Sequence, residues 1–425
     1  MNLFKISLAY IYRRKLNTLL NMILLGLGTG IVVVLLLFGE QFEENLHRNV
    51  QNIDVVVGAK GSPLQLILSS VFHVDVPTGN IPLLEARELA KNRAVAQVIP
   101  LALGDNYRGY RIVGTTSAYA KHYRAELVDG AFWDEPYQVV IGAQVASETG
   151  LALGDEVISS HGLTAETASE QHESQPFRVV GVLQPTGSII DRLLLTAVET
   201  VWLVHEPHEE EGDGQDHHME SHADEDRARD VLGLPMDSEA DAEREVTGLL
   251  IRYRSPIAAV SFPRYVNKET KFQAASPAFE TTRLFALLGV GLEVVRVFGG
   301  VLVFAAALSI FVALYNAMKD RRYDLAMMRA LGASRGKLFV QVLLEGILLT
   351  LMGTGLGFVL GHASTEVIGA WVREAQHINL TGWIILSDEF WLIGLALVLG
   401  SVSALIPALQ VYRTDVAQTL VEVSG

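Results

Sequence analysis

Cysteine is absent from all 425 residues, which excludes a disulfide framework, a thiolate nucleophile and any thiolate metal site. Basic charge is scarce too. The 33 Lys and Arg stand against 48 Asp and Glu, giving a formal net charge of −15 and a pI near 5.3, a balance that argues against nucleic acid as a partner. Phosphate-binding and nucleophile motifs are missing as well. GAKGSP (58–63) has neither phosphate-loop spacing nor, on this reading, a helix start behind it. Gly336-Lys337 falls one residue short of Walker A spacing, and no Ser or Thr follows the Lys. Gly332-Ala333-Ser334-Arg335-Gly336 fits G-x-S-x-G, but a nucleophile elbow needs a strand before it, and an amphipathic helix pattern precedes it here. The chain is therefore expected to be non-catalytic, with no catalytic residues of its own.

Apolar residues, by contrast, make up half of the chain, and they are segregated from the acidic ones. Residues 1–16 carry Lys5, Arg13, Arg14 and Lys15 and no acid, with Phe4, Ile6, Leu8, Ile11 and Tyr12 among them. This is the composition of a helix lying in the membrane interface. An uncharged span follows at 17–39. It is longer than the roughly 7–15 residues of a signal-peptide core and lacks an A-x-A site, so an uncleaved anchor with an inside N-terminus is expected. Further apolar spans are expected at 297–317, 339–361 and 391–409, each long enough for a bilayer core at about 1.5 Å per residue.

Between the first and second spans the composition is that of a globular domain. Short β-rich runs lie at Asp54–Val57, Val95–Leu101, Tyr110–Val113, Gln138–Ile141, Glu156–Ser159, Phe177–Val182 and Gly248–Tyr253, separated by turn signals. Helical patterns sit at Leu83–Arg93 and Ala143–Gly150. The fold class expected is an α+β membrane protein: four transmembrane helices with a large mixed α+β domain, of two subdomains, inserted between the first and second. The glycine- and proline-punctuated stretch Val55–Leu83 is expected to be structural, in a stalk near the membrane.

The connector 318–338 carries six Lys/Arg against two Asp, so it belongs on the cytoplasmic side. Leu325, Met328 and Leu331 recur in it at helical spacing, with Arg321, Arg322, Arg329, Arg335 and Lys337 on the other faces, as in an amphipathic helix. RRYDLAMMRALGASRGKLFVQVLLEGILLTLMGTGLGFVLG, covering this connector and the helix after it, resembles the C-terminal membrane module of the FtsX/MacB/LolC permeases, the membrane subunits of mechanotransmitting (type VII) ABC transporters. Asp324 stands where that family usually has Glu. The resemblance implies a FtsX-like module over 284–425, and a stalk and MacB-like periplasmic core domain over 40–283. It also implies a coupling helix docked on a cytosolic ATPase subunit through Arg321, Arg322, Asp324, Arg329, Leu331, Gly332 and Ser334. ATP and Mg would belong to that separate subunit, because the chain, unlike MacB itself, carries no ATPase motif. A second permease copy or paralogue, a periplasmic partner protein and the lipid bilayer complete the implied partners. The implied location is the bacterial inner membrane, with both termini cytoplasmic. Glu345 occupies the family's usual acidic position, and an ionisable group there should face protein or water. The ladders Gly26-x₃-Gly30, Gly353-x₃-Gly357 and Gly357-x₃-Gly361 allow close helix contact, within the subunit or across a dimer.

One stretch has no counterpart in that resemblance. Residues 205–230 hold five of the twelve histidines, His205, His208, His217, His218 and His222, among eleven acids. Imidazole and carboxylate suit Zn²⁺, Cu²⁺ or Ni²⁺, but the spacing is loose and HEPH is not H-E-x-x-H. Metal capture and a plain solvated acidic loop both fit, and His161 and His172 form a second, fainter pair of candidates. The leading functional reading is an export, extraction or efflux permease, with a link to zinc homeostasis. An FtsX-like relay that activates an envelope enzyme and a membrane-anchored metal-binding protein are the alternatives.

Overall fold

The computed structural model describes residues 3–161, 176–205, 229–236, 240–320, 327–376 and 380–413. The chain divides into two compact units, Met1–Glu43 with Ala286–Gly425, and Glu44–Phe285.

The helices are α1 (Leu3–Arg13), α2 (Lys15–Val50), α3 (Pro63–Ser70), α4 (Leu83–Ala90), α5 (Ser117–His122), α6 (Ala143–Thr149), α7 (Val198–His205), α8 (Ala258–Glu269), α9 (Pro277–Asp320), α10 (Arg335–Gln376) and α11 (Glu389–Arg413). Four of them contain stretches long and apolar enough to cross a membrane: Lys15–Val50, Glu293–Met318, Arg335–Val372 and Glu389–Gln410. The long helices do not end where their apolar runs do. α10 continues through His362 and Glu366, which the charge pattern assigns to a loop. No breaker intervenes, and Glu366 accepts hydrogen bonds from Thr381 Oγ1 and the Gly382 N–H.

Small residues decide how the helices of the first unit pack. The two glycine ladders meet inside the chain. A Cβ on Gly30 would lie 3.2 Å from the Gly357 carbonyl oxygen, and one on Gly361 would lie 3.1 Å from the Gly30 oxygen. α2 and α10 thus touch backbone to backbone. α2 also meets α9, where Ser309 Oγ donates to Asn21 Oδ1 at 2.6 Å. Ile11, Leu25, Ala306, Ile310, Leu314, Leu349 and Ala404 form the buried centre. α1 is more than an interfacial helix: it buries Ser7 and Ile11, and Ser7 Oγ donates to the Gln341 carbonyl. Its Phe4 and Tyr12 stay exposed.

The second unit is built on strands β1 (Val55–Ala59), β2 (Ile81–Pro82), β3 (Val95–Tyr107), β4 (Tyr110–Thr115), β5 (Leu127–Gly130), β6 (Gln138–Ile141), β7 (Glu156–Val157), β8 (Ser160–His161), β9 (Phe177–Leu183), β10 (Leu193–Ala197), β11 (Glu245–Val246), β12 (Gly248–Tyr253) and β13 (Phe272–Ala275). Eleven of these form one mixed sheet in the order β13-β1-β12-β3-β4-β10-β6-β9-β5, with β7 on β9 and β8 on β3. The β3–β4 hairpin turns at Arg108-Gly109, both with positive φ, as a two-residue turn between twisted strands requires. Where two subdomains were expected, one sheet serves two apolar cores. The first gathers Val55, Val57, Val98, Leu249, Ile251 and Phe262, among others. The second gathers Tyr110, Ile112, Val139, Ile141, Phe177 and Leu194, among others. β3, thirteen residues long, runs through both halves.

Val55–Leu83 is not a stalk. Its first residues are β1, which lies between β12 and β13 with Val55, Val56 and Val57 fully buried. A helix does start behind GAKGSP: Ser62 Oγ accepts from the Gln65 N–H, and Pro63 takes the first helical position of α3. Only the loop spacing speaks against a phosphate site. α3 closes on β1 at Gly58, where a Cβ would stand 2.4 Å from Leu66 Cδ1.

Candidate functional site

Two places carry the chemistry expected from the sequence, and a third comes from the structure alone. The first is the connector before α10. Arg321, Arg322 and Asp324 lie outside the described residues. Residues 327–330 are helical, and the helix stops in a Schellman turn. The Ala333 N–H donates to the Met328 carbonyl and the Gly332 N–H to the Arg329 carbonyl, with Gly332 at φ 96°. Ser334 then opens α10, its Oγ accepting from the Lys337 N–H at 3.3 Å. Gly332 and Ser334 are therefore the stop and start of two helices. This geometry breaks the apolar stripe expected over Leu325, Met328 and Leu331. Met328 and Ala333 pack on a cluster of Met318, Leu338, Val342 and Ala408, whereas Leu331 is 82 % exposed. The turn takes the chain off the helical repeat before Leu331 can follow Met328 inward. Arg329 is half-buried. Deeper in α10, Glu345 is 5 % exposed and enclosed by protein.

The second place is the frame of the histidine-rich stretch. His208, His217, His218, His222 and His172 lie outside the described residues, as does the His161 side chain. His205 closes α7. Its Nδ1–H donates to the Val201 carbonyl at 2.7 Å, and its Nε2 stands 3.7 Å from Oδ1 of Asp105. Asp105, in β3, is only 5 % exposed. The strand register sets His161 opposite Asp105 and Ser160 opposite Asn106. Thus the two histidine-bearing stretches, treated separately in the sequence, leave the fold at one residue of β3. On the far side of the stretch, Arg87 donates to both Asp230 and Asp241 and reaches the Pro235 carbonyl at 3.0 Å. Burial alone would lower the Arg87 pKa, but the hydrogen bonds to Asp241 and Asp230 outweigh it and hold the guanidinium above its ordinary value. Among the described residues, no group of three or more His, Asp or Glu is gathered closely enough to hold a metal ion. Asp105 was not among the sequence candidates. Its one signal is a carboxylate directly after the apolar start of a β run, LALGDNY.

A cavity of about 430 Å³ opens beside His205. Trp202, Glu243, Arg244, Glu245 and Thr247 line it with the histidine, and the Arg244 guanidinium lies 4.8 Å over the Trp202 ring. Its volume is in the range of small-molecule sites.

The third place is a buried histidine, His73, which holds a positive φ of 54° and lies 3.0 Å through Nε2 from the Tyr119 hydroxyl. Burial, with the Arg111 and Arg192 charges, pushes its pKa down to about 3, so it is neutral under all ordinary conditions. Burial pushes the Tyr119 hydroxyl well up, so it keeps its proton.

Comparison with known families finds two matches. Residues 296–416 match the FtsX-like permease C-terminal model, and residues 18–230, half of the chain, match the MacB-like periplasmic core domain. The second match stops at Asp230, so β12 and β13, which complete the large sheet, and β11, which pairs with β2, lie beyond it. No curated protein matches the chain.

Proposed function

Since the chain belongs to the FtsX/MacB-type permeases of ABC transporters, multi-pass membrane proteins with a periplasmic domain, we propose that it passes ATP-driven conformational change from a separate cytosolic ATPase to that domain. The work done there is export, extraction or efflux of an envelope substrate. Permeases of this type generally partner with a cytosolic ABC ATPase and are generally non-catalytic. In this reading the chain sits in the inner membrane with both termini in the cytoplasm. It pairs with a second permease, a copy or a paralogue, and meets a periplasmic partner protein.

The observation that carries the proposal is Leu331. A large apolar side chain, 82 % exposed, is held out on a capped helix-to-helix turn among basic residues. An apolar anchor ringed by charge is the usual make-up of a protein contact. Arg321, Arg322, Asp324 and Arg329 contribute charge to the same connector by their place in the sequence, and Gly332 and Ser334 fix the turn. The test is co-purification of the full chain with its ATPase after Arg321→Glu/Arg322→Glu and, separately, Leu331→Asp. Both should lose the ATPase. Retained association in both would remove the docking role from this loop. ATP hydrolysis stimulated by a periplasmic cargo distinguishes transport from a pure signalling relay.

The 205–230 stretch is assigned, on the same footing, to zinc capture linked to transport. His205, His208, His217, His218 and His222 are the donors, with His161 and His172 next. Imidazole and carboxylate chemistry supports the assignment, as does the anchoring of the stretch at both ends, His205 on one side and Asp230 on the other.

A further inference from the structure

The sequence treats residues 205–230 as one diffuse collection of donors. The fold singles out one of them. Because a carbonyl oxygen only accepts, the 2.7 Å contact to Val201 fixes the proton of His205 on Nδ1. In the neutral ring Nε2 then carries a lone pair, and it faces the Asp105 carboxylate. Metal-ligating histidines are commonly oriented in this way, with the second ring nitrogen donating to a backbone carbonyl.

The spacing between the two groups is informative. At 3.7 Å the Nε2–Oδ1 separation is too long for a hydrogen bond. Two ligands held about 2.0–2.2 Å from a tetrahedral ion stand roughly 3.4 Å apart, so a small rotation of the half-exposed His205 side chain brings the pair to that separation. Asp105 is the more constrained partner: it projects from the long strand β3 and is almost wholly buried. His205 opens on the cavity of about 430 Å³, which supplies an entry path and room for water in the remaining coordination positions.

We propose that Asp105 and His205 are the founding ligands of a divalent transition-metal site of the zinc class, at the junction of β3, β8 and the end of α7. The inference deepens the zinc-capture reading by moving its tightest step from the acidic stretch to a rigid pair in the fold. A carboxylate in a strand and an imidazole on a helix lose little freedom on binding, whereas donors strung along an acidic run must be ordered first.

The experiment is zinc titration of the full chain in lipid nanodiscs, with Zn²⁺ alone as ligand and Co²⁺ absorption as a second readout of nitrogen and oxygen ligation. Three variants are compared with the unmodified chain: His205→Ala, Asp105→Asn, and His208→Ala/His217→Ala/His218→Ala/His222→Ala together. The fourfold variant should keep the tightest zinc site. His205→Ala and Asp105→Asn should each weaken it by at least about tenfold, the lower end of the loss on disturbing a metal site's supporting shell, and change the Co²⁺ spectrum. Asp105 is buried, so Asp105→Asn is scored only with an unchanged melting curve; His205, 38 % exposed on its side chain, carries the test if it fails. A shifted melting curve with unchanged zinc affinity in His205→Ala would show an ordinary ion pair and overturn the site. Loss of all zinc in the fourfold variant alone would overturn it too, and leave capture by the stretch standing. No zinc binding by the unmodified chain would end both.

Discussion

Gly357 on α10 packs against Thr29 on α2 so closely that a Cβ on the glycine would stand 2.6 Å from the Thr29 Cβ and 2.9 Å from the Gly26 carbonyl oxygen. The contact lies within one chain, which answers the question the glycine ladders raise. Gly26, Gly30, Gly357 and Gly361 are used up between α2 and α10, and a pairing of two permeases must draw on other surfaces.

Gly357→Ala should therefore destabilise the membrane unit by about 1–3 kcal/mol, the usual cost of overpacking. Gly355, two residues away, has nothing within 4 Å of its would-be Cβ. Gly355→Ala should be neutral or slightly stabilising, because alanine is the better helix former by about 1 kcal/mol. Thermal unfolding in detergent compares the two. Equal losses would mean that helix propensity, not the close approach, governs this face.

Arg87 is the second structural centre, joining α4 to Asp230 and Asp241, 143 and 154 residues further on. Arg87→Met would strip the nearly buried Asp230 and Asp241 of the guanidinium they share, leaving Arg244 beside Asp241 at 3.6 Å, and breaking a buried pair from one side costs about 3–5 kcal/mol. The triple variant Arg87→Met/Asp230→Asn/Asp241→Asn should recover much of that loss, since no buried charge is stranded. Chemical denaturation followed by tryptophan emission is a direct readout, as Trp202 lies beneath Arg244, itself 3.6 Å from Asp241. A single variant as stable as the unmodified chain would show that the network does not hold this region.

What the sequence makes legible here follows from the range of each interaction. Uncharged runs reveal the four membrane helices because bilayer crossing is a local, compositional demand. Short β-rich runs set off by turn signals reveal Gln138–Ile141 and Gly248–Tyr253, which form β6 and β12 over the same residues. Leu193–Ala197 is missed as a strand because LLLTA is a short apolar run without alternation, which does not distinguish strand from buried helix. α3 is missed although its Ser62-Pro63 start is a readable cap signal, since the surrounding glycines suggest a loop. Pairings distant in sequence are the real gap. Nothing local shows that β12 lies between β1 and β3, or that His161 falls opposite Asp105. The exposed Leu331 was hidden for another reason: its apolar spacing is genuine, but Gly332 ends the helix that the spacing presumes.

Topology gives an independent check on the whole architecture. Lys and Arg gather at residues 1–16 and in the connector 318–338, both expected on the cytoplasmic side. Reporter fusions after Gly150 and Asp230 should read periplasmic, and fusions after Ser334 and Gly425 cytoplasmic. A cytoplasmic signal from position 150 would invert the assignment of the sheet domain and remove the basis for an ATPase contact at Leu331.

The last prediction concerns acid. His73 is neutral in the folded chain because burial, helped by Arg111 and Arg192, lowers its pKa from 6.5 to about 3. Unfolding returns it to water and to the ordinary value. Between pH 6.5 and 3 the unfolded chain therefore binds a proton that the folded chain refuses, so this histidine's contribution to stability is present above pH 6.5 and is lost progressively as pH falls through that window. One such group imposes a slope of at most about 1.4 kcal/mol per pH unit. The substitution that isolates it must tolerate the positive φ at this position, and asparagine does so better than most residues. His73→Asn should lower stability at pH 7.5, where the hydrogen bond with Tyr119 is lost, yet flatten the decline between pH 6.5 and 5. Denaturant midpoints at pH 7.5, 6.5 and 5, measured on both proteins, give the two slopes. Parallel slopes would assign the acid sensitivity of this unit to other groups, with His122, also shifted downward by burial, the next to test.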